Sequence, residues 1–228
     1  MNRQRLLPAA ALLAAASVML TGCGGGGGGD GDGESDSGKK VAGADVGSPK
    51  ASKSPSPSAS TSDPKAPDLS LPKDVKVVAD WREPADKEQA QVLRAAANFM
   101  VGLNRAIAQQ DAKDPAYLYY SYPQGQTRQS SQKNVQEHVD KKYSVTGTER
   151  MSRPSVKIVH SGSTAVVSFC VDDTNFYTKD LKTGKPMLTK PSADDHTKFE
   201  FGMVGSGEAG GVWRAKEVRA DVGAQECQ

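Results

Sequence analysis

Residues 92–107 read VLRAAANFMVGLNRAI, and the spacing of their apolar side chains decides the fold that we predict. Val92, Ala96, Phe99, Leu103 and Ile107 follow one another at intervals of four, three, four and four residues. This periodicity places all five on one face of an α-helix. A long, buried helix is therefore the element around which the rest of the domain is interpreted.

The ends of this helix are predicted from residues that suit helix termini. Pro84 and Asp86 fit a first turn, because proline is tolerated there and an acid faces the positive end of the helix dipole. Asp114, followed by Pro115, ends the long helix and caps a short second helix over residues 116–120.

A turn at 121–125 precedes a third predicted helix, which Ser130 or Ser131 caps and Gly147 ends. The alternating pattern after it predicts four antiparallel strands, over residues 155–160, 165–171, 197–204 and 212–218. Three helices followed by a run of strands indicate an α+β fold, with the helices packed on a four-stranded antiparallel sheet. The inward strand positions are Val, Ile, Phe and Met, so no acid is expected among them.

The N-terminal region carries an export signal. Arg3 and Arg5 precede an apolar run of about 15 residues, which is shorter than the ~20 that a membrane-spanning helix needs. The run ends at Leu20-Thr21-Gly22-Cys23, which has the pattern of a lipobox. We expect cleavage before Cys23 and a diacylglycerol on its thiol; the alternatives are an ordinary cleaved signal peptide or a short helix that is retained.

Three cysteines, Cys23, Cys170 and Cys227, make an odd number for an exported chain. Lipid on Cys23 would leave Cys170 and Cys227 as a pair, and a disulfide is expected between them in an oxidising compartment. Two unrelated buried thiols are the alternative. A metal site is not expected, since matching His or Cys neighbours are missing from the sequence.

Composition divides the chain into three parts: a signal peptide over 1–22, a lipidated cysteine and tether over 23–70, and one domain over 71–228. The tether is rich in Gly, Ser and Pro and has little to bury, so we expect it to be disordered. Within the domain, acids and bases almost balance and no basic stripe with interleaved aromatics occurs. A nucleic-acid partner is therefore not expected.

The predicted order of helices and strands resembles the NTF2-like (cystatin-like α+β) superfamily, in which a curved sheet wraps a long helix into a cone. The C-terminal half also resembles exported actinobacterial lipoproteins. The matching residues are VVSFCVDD over 166–173, DLKTGK over 180–185, Gly211-Val212-Trp213 and Cys227. The resemblance implies a cone fold and a location at the cell membrane; it implies no particular activity, because one fold hosts many functions.

Four tyrosines are the candidate ligand-facing residues: Tyr117, Tyr119, Tyr120 and Tyr122. They crowd one short helix and could form a wall of the cone opening, although packing at the domain rim explains tyrosines equally simply. Acids of the kind that NTF2-like isomerases and hydrolases use inside the cone are not evident. Asp111 and Asp114 are interpreted as helix caps.

Two further acidic runs have residue types that could bind a metal ion. Residues 172–175, DDTN, lack the spacing of a calcium loop and are interpreted as a strand-end turn. Residues 194–196, DDH, are interpreted as a solvated strand entrance. No hydrolase elbow, phosphate-binding loop or dinucleotide motif accompanies His138, His160 or His196.

The sequence therefore predicts a lipid-anchored protein on the extracytoplasmic face of the membrane, with no catalytic residues, cofactor or metal. Its domain is expected to bind a small apolar ligand or an envelope protein. The alternatives are an NTF2-like isomerase or hydrolase acting on a small apolar substrate, and a purely structural docking domain. Palmitate and diacylglycerol are the lipid groups expected on Cys23.

Overall fold

A mixed β-sheet with a long helix packed on it forms the domain. The computed structural model describes residues 66–159, 163–206 and 211–228. The strands are β1 (Val75–Asp80), β2 (Tyr143–Val159), β3 (Thr164–Asp180), β4 (Lys185–Pro186), β5 (His196–Val204) and β6 (Arg214–Val222). The helices are α1 (Lys87–Gln109), α2 (Pro115–Tyr120) and α3 (Gln126–Lys141). Single 3-10 turns lie at Ala193–Asp195 and Gln225–Cys227.

The strand order is β1-β2-β3-β5-β6, with β4 paired to the far end of β3. β1 runs parallel to β2, and the other pairs are antiparallel. An α+β fold is confirmed, but the predicted sheet of four antiparallel strands is wrong. Six strands are present in the described chain, and one of them, β1, precedes the helices.

The predicted apolar face of α1 is confirmed. Val92, Ala96, Phe99 and Ile107 are buried, and Leu103 is partly buried. The Phe99 ring meets the Phe201 ring of β5 edge to face, with centroids 6.0 Å apart. The Asp86 side chain accepts a hydrogen bond from the Gln89 amide and caps the start of α1, whereas Pro84, predicted for the first turn, lies before the helix.

A close crossing joins α1 to α2. A Cβ atom built at Gly102 would lie 2.6 Å from the Tyr117 backbone nitrogen, so only glycine fits at this crossing. Asp114 caps α2 by accepting a hydrogen bond from the Ala116 amide, as predicted. Asp111, also predicted as a helix cap, instead accepts from the Lys113 amide in the turn between α1 and α2, and Gln110 ends α1.

The third helix is shifted from its prediction. It starts after Gly125, not at Ser130 or Ser131, and Lys142 ends it with a left-handed φ of 59°. Gly147 does not end the helix but lies inside β2, where its φ is 108°. The prediction failed because β2 starts at Tyr143, which helical spacing had assigned to the helix.

The two longest strands also exceed their predicted ranges. β2 was expected from residue 155 and β3 only to residue 171, whereas each spans 17 residues. Polar residues fill the extra lengths, and bulges interrupt their alternation, so neither segment has the regular apolar pattern of a strand. The run at 172–175, predicted as a turn, is therefore part of β3.

Within the described ranges, none of the helices has the length and apolar content that crossing a membrane requires.

Candidate functional site

An irregularity in the central strand pair brings two acids together. Thr148 of β2 lies opposite Asn175 of β3, but Arg150 lies opposite Asp172. One residue of β2, Glu149, therefore faces two residues of β3, Asp173 and Thr174. This is the arrangement of a β-bulge, a feature that often lies next to functional sites.

Both acids occupy inward positions of the sheet. Along β2, Glu149 is in phase with the buried Val145 and Met151, and along β3, Asp173 follows the buried Val171 in phase. Side chains two residues apart share a face of a strand. The two carboxyl groups therefore enter the side of the sheet that α1 covers. The expectation that no acid lies among the inward strand positions is wrong.

Glu149 is 4% exposed and has one hydrogen-bond donor from α1. Asn104, itself buried, donates from Nδ2 to Glu149 Oε2 at 3.0 Å. Glu149 Oε1 is buried and has no hydrogen-bond partner within the described residues. A carboxylate with one buried, unpartnered oxygen is costly to keep charged.

The environment of Glu149 favours its protonated form. Burial is the largest cause, the negative charge of Asp173 adds to it, and the Asn104 hydrogen bond opposes it only in part. Together they raise the pKa of Glu149 to about 8. Glu149 is therefore mostly an uncharged acid at neutral pH.

Asp173 experiences a similar environment, although some of its surface is exposed. Burial raises its pKa to about 7, with contributions from the negative charges of Asp172 and Asp195. Its Oδ1 atom is buried and has no hydrogen-bond partner in the part of the chain described. Glu149 and Asp173 together form the site that we call the carboxyl pair.

Asp172, adjacent to the carboxyl pair, behaves in the opposite way. Burial raises its pKa, but hydrogen bonds from Thr174 and the nearby His196 and Arg150 outweigh burial, so the net pKa is lowered. His196 of β5 lies directly across from Asp172, and its Nδ1 atom is buried without a partner in the described ranges. Asp172 is thus charged, whereas the pKa of the next residue, Asp173, is raised to about 7.

This arrangement offers acid–base groups near neutral pKa, which is the range that proton transfer uses. Access is the limiting factor, because Glu149 Oε1 is covered by protein atoms. Among the described residues, no three His, Cys, Asp or Glu side chains lie close enough together to hold a metal ion.

The predicted tyrosine wall is distributed between core and surface. Tyr117 and Tyr120 are buried, and their hydroxyl groups are engaged: Tyr117 donates to the Ala112 carbonyl, and Tyr120 accepts from Asn98 Nδ2 at 3.1 Å. These two are core residues, which corrects the prediction that they face a ligand.

Tyr119 and Tyr122 are partly exposed, and for them the predicted ligand-facing role stays a prediction. The Tyr119 ring packs edge to face on Tyr120 at 4.9 Å, and the Arg214 guanidinium of β6 lies 5.6 Å from its centroid. The Tyr122 amide donates to the Ala215 carbonyl at 2.8 Å. These contacts join the α2 region to β6.

The predicted cysteine pair is confirmed. Cys170 and Cys227 form a disulfide with their Cα atoms 5.4 Å apart, and both residues are buried. The bond joins the middle of β3 to the last 3-10 turn of the chain. It closes a loop of 57 residues, for which a stabilisation of about 4 kcal/mol is typical.

The remaining candidates have local roles or lie outside the described residues. Asp195 caps a 3-10 turn by accepting from the Ser192 amide, and His138 Nδ1 lies 2.9 Å from the Asn134 carbonyl oxygen of its own helix. His160 and the lipobox, Leu20-Thr21-Gly22-Cys23, fall outside the described ranges. The lipidation of Cys23 therefore stays a prediction.

The carboxyl pair was missed because residues 143–150 were assigned to a helix end and a loop. The signal that could have found it is the two-residue alternation of Val145, Glu149 and Met151. The same alternation leads from Val171 to Asp173 once β3 is extended to Asp180.

No protein-family description matches the chain, and no curated protein does. The solved structures similar to it include a ketosteroid isomerase-like protein from Erwinia carotovora atroseptica, at 16% identity and a TM-score of 0.39, covering 59% of this chain and 95% of that one. They also include the intermembrane-space region of the chloroplast protein ARC6, at 13% identity and a TM-score of 0.37, covering 57% of this chain and 96% of that one. Likenesses of this size assign no activity to the chain.

Proposed function

We propose that the chain is a lipid-anchored protein of the extracytoplasmic membrane face, whose domain is a non-catalytic binding or accessory module of the cell envelope. The observation that carries the proposal is the lipobox Leu20-Thr21-Gly22-Cys23 behind a short apolar leader. The Cys170–Cys227 disulfide supports it, because disulfides persist in oxidising compartments outside the cytoplasm.

The finer fold assignment is part of the same proposal. A long α1 packed on a sheet of mainly antiparallel strands agrees with an NTF2-like domain. The sequence features shared with exported actinobacterial lipoproteins support that origin. In this arrangement the residues between Cys23 and the domain serve as a tether, with an r.m.s. reach of roughly 40 Å.

The state of the polar groups supports a non-catalytic role. A catalytic acid or base must come within hydrogen-bond reach of its substrate. Glu149 Oε1 is covered, and the hydroxyl groups of Tyr117 and Tyr120 are engaged in the core. Partners of the module would then meet its surface, where Tyr119 and Tyr122 remain our candidates for a small apolar ligand or an envelope protein.

Membrane fractionation of cells that express the Cys23→Ala chain tests the anchor. The wild-type protein should sediment with membranes and require detergent for release, whereas Cys23→Ala should lose that behaviour. Ser37→Ala, in the same segment but outside the lipobox, is the matched control and should sediment like the wild type. A Cys23→Ala protein that stays bound as tightly as the wild type would refute the lipid anchor.

The carboxyl pair favours a second candidate, an isomerase or hydrolase that acts on a small apolar substrate. Two adjacent acids with raised pKa values are groups that active sites use. Panels of small apolar esters, epoxides and enolisable ketones should be tested with the wild-type protein and with Glu149→Gln. Turnover that disappears in folded Glu149→Gln would replace the accessory role by catalysis.

A further inference from the structure

The hairpin after β3 has an unusual surface for a water-soluble domain. We define the hairpin tip as residues 181–190, LKTGKPMLTK, and every one of them is exposed. Five large hydrophobic residues are exposed in the described chain, and three of them lie in this tip: Leu181, Met187 and Leu188, which are 40%, 49% and 72% exposed. Apolar residues grouped on one exposed element indicate a contact surface.

The tip also carries a one-sided charge. Lys182, Lys185 and Lys190 lie within it, and no acid occurs between residues 181 and 192. The acid at its base, Asp180, is engaged in the turn, where Oδ1 accepts from the Lys182 amide at 2.7 Å and the Thr183 amide at 3.2 Å. Three lysines against this one acid leave the tip with a positive excess.

The basic surface continues beyond the tip. The Leu181 amide donates to the Lys142 carbonyl at 2.9 Å, so the end of α3 lies against the base of the hairpin. Lys141 and Lys142 are both exposed there.

The hairpin has a defined conformation that backbone hydrogen bonds hold in place. Lys179 pairs with Pro186 and Asp180 with Lys185, and the Met187 amide donates to the Thr178 carbonyl at 2.7 Å. Gly184 adopts a φ of 70° and supplies the left-handed turn residue. Its apolar and basic side chains are thus presented together from a tied base.

We propose that the hairpin tip contacts an anionic phospholipid membrane, with Met187 and Leu188 entering the interface and the lysines facing lipid phosphates. Lysine beside apolar side chains is the combination that binds such interfaces, because burial of apolar area and attraction to anionic headgroups add. This inference rests on the proposed function, since a lipid on Cys23 would keep the domain near a membrane. The contact would then orient the domain on the bilayer that anchors it.

Depth-dependent fluorescence quenching tests the contact. The lipidated full chain carrying Leu188→Trp is reconstituted in vesicles of phosphatidylglycerol and phosphatidylcholine that contain acyl-brominated lipid. Emission from the introduced tryptophan, after subtraction of the wild-type signal of Trp81 and Trp213, should be quenched. Val222→Trp is the matched control, because Val222 is 60% exposed on β6, and its emission should be unaffected.

The charge contribution is tested in the same Leu188→Trp chain. Lys182→Gln, Lys185→Gln and Lys190→Gln together should weaken the quenching contact, since each lysine near an anionic surface contributes about five-fold in affinity. Lys76→Gln, Lys157→Gln and Lys216→Gln, three exposed lysines on other strands, should leave the quenching unchanged.

Two results would overturn the contact. One is unquenched emission from the Leu188→Trp side chain in protein that remains bound to vesicles. This result would refute insertion of the tip while leaving the anchor intact. It is also the result expected if a protein covers the tip instead. The other is quenching that is equal in purely zwitterionic vesicles and in the triple-lysine variant, which refutes the anionic recognition. Failure of the anchor appears separately, as loss of vesicle binding by the wild-type chain.

Discussion

Strand β3 and the hairpin tip that follows it depart from the usual distribution of side chains in opposite directions. Within β3, Asp173 and the adjacent Glu149 of β2 place acids inside the domain. Beyond the end of β3, the hairpin tip places Met187 and Leu188 in water. Stability alone would favour neither arrangement, because acids are solvated best at the surface and large apolar groups are most stable when buried. Strand β3 and the hairpin that follows it therefore contain the two parts of the domain that ordinary packing does not explain.

The comparison shows how each region compensates. Inside, Glu149 retains its proton and stays largely uncharged at neutral pH, whereas Asp173, with a pKa of about 7, is only partly protonated there. At the tip, nothing in the described chain covers the apolar side chains, and the proposed membrane contact would do so. The domain itself thus accommodates the interior acids, whereas covering the tip would require the proposed contact.

The largest expected effect concerns the interior. The pKa of Glu149 is raised in the folded state from 4.5 to about 8, so folding retains a proton that the unfolded chain releases. Its stabilising effect is fully present below pH 4.5 and is lost as the pH rises through about 8. Glu149→Gln keeps the shape without the charge, and its free energy of unfolding should exceed that of the wild type by about 5 kcal/mol above that pH. Urea unfolding between pH 4 and pH 9 measures the difference.

A shallower slope should remain in Glu149→Gln, because Asp173, with a pKa raised to about 7, also loses its proton in this range. Glu200→Gln, an exposed acid of β5, is the matched control and should follow the wild type at every pH. Identical pH dependence in Glu149→Gln and the wild type would mean that Glu149 is not held as an acid, and the interior half of the comparison would fail.

The smallest expected effect concerns the tip. Met187→Ser and Leu188→Ser remove exposed apolar groups that pack little within the domain, so each should change the free energy of unfolding by less than about 0.5 kcal/mol. Val167→Ser, at a fully buried position of β3, is the contrasting variant and should be severely destabilised. A comparable loss of stability in Leu188→Ser would show that the tip packs on the domain and is not a free contact surface.

Sequence patterns predicted the elements whose periodicity is regular. The 3.6-residue spacing of Val92, Ala96 and Phe99 was sufficient for α1, and the cysteine count was sufficient for the Cys170–Cys227 pair. Strand β1 was missed although Val75, Val77 and Ala79 alternate, because it lies between a polar tether and a helix start and pairs with the distant β2.

The interior site was hidden for a different reason. A bulge adds one residue to β3 opposite Glu149, so the alternation that defines a strand is interrupted where the acids lie. When only the sequence is considered, Gly147 also resembles a residue that ends a helix. In the structure it lies inside β2 with a φ of 108°. Pairing between distant segments, rather than local preference, determines these positions.

The central claim is that Glu149 retains its proton inside the domain and stays uncharged at neutral pH. Carbon-13 NMR of the glutamate side-chain carboxyl groups tests this most directly, with the Glu149 signal assigned by its absence in Glu149→Gln. The account predicts that this signal keeps the chemical shift of a protonated acid through neutral pH and titrates near pH 8. A midpoint near 4.5, the ordinary value, would contradict it.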